Sequence, residues 1–202
     1  MFELPALDYK YSELEPYIDA QTMELHHTKH HQTYIDKLNS AIKDTDAENK
    51  SLEEIIKNIS NYSTFIRNQW WWVYNHNLFW KFISPNGWWY PPENLFKHIE
   101  NIFWSFEDFK QQFETQAVSL FGSWWTWLII NNEGQLEILN TQNQDNPIMD
   151  VLPKQGKPIL GIDMREHAYY LKYQNRKAEY VQSFWNLINW KYVDTLYKEY
   201  SQ

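Results

Sequence analysis

Four of the chain's seven histidines fall within six residues, His26-His27-Thr28-Lys29-His30-His31. Imidazole is the side chain best suited to moving protons or binding a transition metal near neutral pH. On a helix, residues four apart share a face. His26 and His30 would then form one stripe, continued by Tyr34, and His27 and His31 a second beside it. The pattern reads as a metal or proton-transfer site or, equally, as a solvated polyhistidine face. Asp163 and His167 repeat the four-residue spacing where a strand runs into a helix. The competing reading there is a helix cap at Asp163 and a surface His167. His76 lies among Tyr74, Leu78, Phe79 and Trp80, where a lone imidazole is usually a satisfied core group. His98 has no partner in sequence and reads as surface. Were His26, His76, Asp163 and His167 to converge, three imidazoles and a carboxylate with no thiolate would suit iron, manganese, zinc, copper or nickel. Spacing alone does not bring residues 26, 76, 163 and 167 together. A zinc hydrolase built on His26 and His30 is disfavoured, because no Glu occupies the H-E-x-x-H position beside them.

The elements that would position these groups can be read in outline. Residues 20–42 are rich in helix formers and free of Pro and Gly, which predicts one long helix. Ser51 to Glu54 is a capping box opening a second helix through Ile59. A third runs over about 63–82. Ser84-Pro85-Asn86-Gly87 and Pro91-Pro92 then interrupt the pattern and mark a boundary. Residues 93–103 read as helix, and Ser105-Phe106-Glu107-Asp108 caps another to about Leu120. Residues 125–130 are aromatic and β-branched, Asn131-Asn132-Glu133-Gly134 is a turn, and 135–141 alternate apolar with polar, which together predict a β-hairpin. Residues 158–163 read as a third strand and 166–200 as helix. The expected fold is α+β: an N-terminal helical hairpin domain over 1–87, then a mixed domain over 92–202 with a three-stranded antiparallel sheet.

Composition narrows the function classes. The 202 residues carry a formal net charge of −8, which disfavours a nucleic-acid partner, since phosphate binding wants a basic face. The absence of cysteine removes disulfides, thiolate nucleophiles and cysteine-held metals. No apolar run approaches the roughly 20 residues that span a bilayer, so no membrane partner is expected. Met1 to Leu7 does not read as a signal peptide, and the expected location is cytoplasmic.

Several motifs in order resemble the iron/manganese superoxide dismutase family. They are Phe2-Glu3-Leu4-Pro5-Ala6-Leu7, the run from His26 to Tyr34, Asn75-His76 with Leu78-Phe79-Trp80, Trp125-Thr126-Trp127, Asp163-x-x-Glu166-His167-Ala168-Tyr169-Tyr170, Gln174-Asn175-Arg176 and Phe184-Trp185. The resemblance implies disproportionation of superoxide to oxygen and hydrogen peroxide, with one manganese or iron ion held by His26, His76, Asp163 and His167. Tyr34 and His30 would line the substrate entrance and pass protons. Gln144 stands where manganese-type members place the glutamine that hydrogen-bonds metal-bound solvent. Gln144 and the Leu78-Phe79-Trp80 run lean towards manganese, Val73-Tyr74 towards iron or mixed-metal members. In the implied homodimer Glu166 would reach the other subunit's His167, and Tyr170 the other subunit's His30. Lys29 and Arg176 are the cations expected near the funnel that draws in the anionic substrate.

The chain also departs from that family. Trp70, Trp71, Trp72, Trp88, Trp89, Trp104 and Trp124 stand where its members have Gly, and Arg165 where they have a Trp beside the metal. Trp can neither relieve a positive φ nor permit close packing, and overpacking costs roughly 1–3 kcal/mol at one site. One origin of the pattern is a gene that reads UGA as glycine, with Arg165 a second reassigned codon; ordinary UGG codons at the seven positions would exclude it. Taken as real, Trp72 and Arg165 favour an alternative function, an inactive dimeric metal-binding relative.

Overall fold

The computed structural model describes residues 1–87, 89–143 and 145–201. The helix expected over 20–42 is present but not uniform. Helices α1 (Ala20–Glu24) and α2 (Gln32–Ile42) are joined by a π-helical stretch, Leu25–His31. The Gln32 N–H donates to the carbonyl of His27, five residues back, which inserts one extra residue into the turn. Helix α3 (Leu52–Lys57) opens on the expected capping box: the Ser51 hydroxyl accepts from the Glu54 N–H, and the Glu54 carboxylate accepts from the Ser51 N–H at 2.8 Å. It stops at Lys57 rather than Ile59, and a 3-10 turn follows at Ile59–Asn61. Helix α4 (Thr64–Phe82), capped by Ser63, packs against α2 to complete the hairpin. Trp70, Trp71 and Val73 of α4 share a core with Ile35, Leu38 and Ile42 of α2 and with Ile55 and Ile56 of α3. Further along, Phe79, Trp80 and Phe82 enter a second, larger core. One helix therefore runs from the first core into the second.

The second core lies between a sheet and the helices around it. Helices α5 (Glu93–Phe103) and α6 (Phe106–Ser119) fall where the sequence predicts. The Ser105 hydroxyl accepts from the Asp108 N–H at 2.9 Å and donates to the Asp108 carboxylate, so only half of the expected box forms. Strands β1 (Trp124–Asn131), β2 (Leu136–Gln142) and β3 (Gly156–Asp163) make an antiparallel sheet of order β2-β1-β3. Central β1 is buried nearly throughout. Its Trp127 faces Gly161 across the β3 ladder, and a Cβ at Gly161 would lie 2.4 Å from the indole ring; only glycine leaves the ring its place. The register also sets Trp125 opposite Asp163, the last residue of β3.

The single helical run expected over 166–200 is broken. A 3-10 turn at Glu166–Ala168 leads to α7 (Tyr170–Tyr173), α8 (Lys177–Phe184) and α9 (Trp190–Tyr200). Gln174, at φ 50°, ends α7, and the Asn189 side chain accepts from the Tyr192 N–H to open α9. An isolated bridge between Ile83 and Ile188 ties this region to the end of α4.

Of the seven substituted tryptophans, Trp88 lies outside the described residues. Trp70, Trp71 and Trp124 are buried, with the Trp70 indole N–H bonded to the Leu52 carbonyl and that of Trp124 to the Ala117 carbonyl. These three are absorbed into the cores. Trp104 is not: it is 84% exposed and held at φ 74° at the C-terminal end of α5, a position and conformation that favour glycine. No helix among the described residues is long and apolar enough to cross a membrane.

Candidate metal centre

The two halves meet at one cluster. His26 comes from the π stretch, His76 from α4, Asp163 from the end of β3 and His167 from the 3-10 turn behind it. One donor atom from each lies within 4.8 Å of the others. Asp163 Oδ2 is the hub, 3.4 Å from His26 Nε2, 3.6 Å from His76 Nε2 and 3.2 Å from His167 Nε2. Donors about 2.1 Å from a shared ion and roughly 90–120° apart lie about 3.0–3.6 Å from one another. The three distances to Asp163 fall in that range, so the cluster is compatible with a single metal ion. The Nε2 of His26 is also buried without a hydrogen-bond partner, a cost that a metal bond would remove.

Local structure fixes the tautomer. The Nδ1–H of His76 donates to the Trp72 carbonyl one turn earlier, so Nε2 carries the free lone pair, as a metal ligand requires. Burial drives the imidazoles towards the same neutral form. It lowers His26 to about 3, with the neighbouring His167 adding to the effect, and lowers His76 well below its ordinary value. His167 is lowered by burial and then by Arg165. Burial alone would raise the Asp163 carboxyl. The Arg165 guanidinium first, and then the neighbouring His167, His26 and His76 rings, more than offset it, so Asp163 is held well below its ordinary value and stays ionised.

The remaining histidines of the cluster divide. The His30 ring stacks on His167 at 4.5 Å, and Tyr34 lies parallel to Trp72 at 3.7 Å, with Trp72 5.6 Å from His167. The 26, 30, 34 stripe thus runs along one site. His27 and His31 are buried, which overturns the solvated-face reading for them. His27 Nε2–H donates to the Pro5 carbonyl while Nδ1 accepts from the Tyr11 hydroxyl, both at 2.9 Å. His31 Nδ1 accepts from the Trp80 indole at 3.0 Å. These two brace the hairpin. His98 is not an unpartnered surface group either: its Nδ1 meets the Tyr197 hydroxyl at 3.0 Å, joining α5 to α9.

Arg165 is the residue whose part sequence reasoning missed. Its side chain is 4% exposed. Nε donates to Asp163 Oδ1 at 2.9 Å, and Nη2 donates to Asp163 Oδ2 at 2.6 Å and to His76 Nε2 at 2.9 Å. The guanidinium carbon lies 3.6 Å over the Trp72 ring. Two groups cannot sit this close over one face of a ring, so Trp72 is sandwiched between Arg165 and Tyr34. The signal in the sequence was a cation two residues from Asp163, where the family resemblance implies a Trp.

Beside the cluster a cleft of about 820 Å³ is lined by residues including Trp72, Phe121, Arg165, Glu166, His167 and Lys177. Lys29 and Arg176 are not among its lining residues. The Arg176 guanidinium is tied to Glu179 at 3.0 Å and to Gln174 at 2.8 Å. Glu166 and Tyr170 are exposed, and among the described residues the Glu166 carboxylate takes no hydrogen bond or ion pair. Gln144 lies outside the described residues.

Two family models match the chain. Iron/manganese superoxide dismutases, alpha-hairpin domain, matches residues 1–84, and Iron/manganese superoxide dismutases, C-terminal domain, matches residues 91–196. With both halves matched in order around a buried three-histidine, one-aspartate cluster, the chain belongs to the iron/manganese superoxide dismutase family.

Proposed function

We propose that the protein disproportionates superoxide to oxygen and hydrogen peroxide at a single ion held by His26, His76, Asp163 and His167. The observation that carries the reading is the convergence of these four donors, three buried and His167 half-buried, around Asp163 Oδ2. A bound manganese or iron ion would supply the one-electron steps, oxidising one superoxide and, with two protons, reducing another. The preference leans to manganese, on Gln144 and the Leu78-Phe79-Trp80 run, with iron allowed. The chain's own residues hold the imidazole donors neutral and the carboxylate ionised. Tyr34 is raised by burial, so its phenol stays protonated and can give up a proton beside the site, with His30 next to it as relay. The protein carries net charge −8, so an anionic substrate must be drawn in locally. Lys177 on the cleft joins Arg176 and Lys29 as candidates for that task.

The working unit is taken as a cytoplasmic homodimer with domains over 1–87 and 92–202. His167 uses Nε2 towards the cluster, and among the described residues Nδ1 has no hydrogen-bond partner. An outer acceptor is what a ligating imidazole wants. Glu166 cannot serve its own neighbour, because adjacent side chains on a turn diverge. Glu166 of a two-fold-related copy can, and Tyr170 would likewise reach the His30 of that copy.

The placement of Arg165 favours a second reading, an inactive dimeric relative that keeps the fold and binds metal. Superoxide consumption separates the two: protein loaded with manganese, and separately with iron, is expected to consume superoxide well above the metal-free sample. No activity with either ion at full occupancy would establish the second reading instead.

A further inference from the structure

We propose that Arg165 acts as an internal counter-cation that stands in for the metal ion in the metal-free protein and must be displaced for the ion to bind. The inference rests on the metal reading above. Three of the guanidinium's donor contacts fall on two of the four proposed ligands: both oxygens of Asp163, and the Nε2 of His76. Those are the lone pairs an ion would take. The Nδ1 of His76 is already committed to the Trp72 carbonyl, so His76 has no second nitrogen to offer. Nη2 alone bridges Asp163 Oδ2 and His76 Nε2, which places a positive group between two ligands that an ion would itself bridge.

The arrangement solves a problem that the cluster has without an ion. A buried, ionised carboxylate with no cation near it is costly, and the Arg165 charge supplies that cation. A metal ion would supply it too, but both cannot stand at the same donors, because like charges in a buried site repel strongly. Displacement has somewhere to lead. Arg165 itself lines the cleft beside the site, and its Nη1 is buried without a hydrogen-bond partner, so one limb of the fork is held less firmly than the other. Leaving would also uncover the Trp72 face that the guanidinium covers at 3.6 Å.

The apparent affinity of a site falls in proportion to the fraction of molecules in which it is open. Removing the competitor should therefore tighten binding of Mn(II), and the same change should weaken the metal-free fold. The parent protein, R165Q and R165W are compared by equilibrium dialysis against Mn(II), with free ion counted by electron paramagnetic resonance, and by thermal melting with and without saturating Mn(II). Both variants are expected to bind Mn(II) at least about ten-fold tighter than the parent. R165Q is expected to melt below the parent without metal and level with it or above it when saturated, because ligand binding adds stability in proportion to its affinity. A residue with only a structural role would lower both melting points together. Should R165Q not fold without metal, R165W, which keeps a large side chain in the space, carries the affinity comparison. Equal Mn(II) affinity in all three proteins would overturn the role of Arg165 and leave the metal reading standing. Failure of all three to bind Mn(II) or Fe(II) would remove the metal reading and this inference with it.

Discussion

At the scale of single residues, the buried imidazoles make acid the weak point of the metal-free protein. His26 and His31 are both lowered from an ordinary 6.5 to about 3, by burial first and then by neighbouring histidine charge. In the unfolded chain the same rings protonate near 6.5. Between those limits the unfolded state binds more protons, so stability must fall as pH drops through the window, and these rings add no pH dependence above it. Urea unfolding of metal-free protein is expected to show a lower midpoint at about pH 5 than at about pH 7.5. The four donor residues were legible as motifs because their types and order are distinctive. That they meet was not legible, since residues 26 and 167 are joined only by the fold. His98 shows the same limit: its partner, Tyr197, lies 99 residues away. Arg165 stood out as a departure, yet its bonds to Asp163 and His76 depend on a strand end and a helix arriving together.

At the scale of elements, two helix starts were written in their caps. Ser51 and Ser105 sit one residue before α3 and α6 and accept the expected backbone bonds from Glu54 and Asp108. The strands followed from aromatic and alternating runs. Three features were not readable. The π stretch at Leu25–His31 has the composition of ordinary helix. The breaks around Gln174 and Asn189 occur with no Gly or Pro in residues 166–200, so tertiary packing, not local chain chemistry, decides them. Trp104 is the reverse case, an element end whose residue opposes its conformation at φ 74°. A non-glycine side chain there costs about 1 kcal/mol or more. Trp104→Gly should therefore raise the free energy of unfolding by about 1 kcal/mol, read as a shift of the urea midpoint with unchanged slope. The side chain is 84% exposed, so little packing is lost in exchange.

At the scale of the whole molecule, the proposed dimer makes a joint claim on assembly and metal retention. Glu166→Ala is expected to shift sedimentation towards monomer and lower bound manganese in the same sample, while circular dichroism stays unchanged. A variant that is fully dimeric and fully loaded would dispose of that role. The donors also divide between the two halves of the chain: His26 and His76 belong to the hairpin, Asp163 and His167 to the sheet and the turn behind it. Neither half alone offers more than two of them. That division has a kinetic meaning. A held ion would close the chain on itself between residue 26 and residue 167, and the halves could not part while all four donors held it. The ion then acts as a clasp on opening. Manganese-loaded protein is expected to unfold in urea more slowly than metal-free protein, because an ion that binds only the folded state stabilises it. Equal unfolding rates with and without manganese would mean that the clasp opens before the halves part.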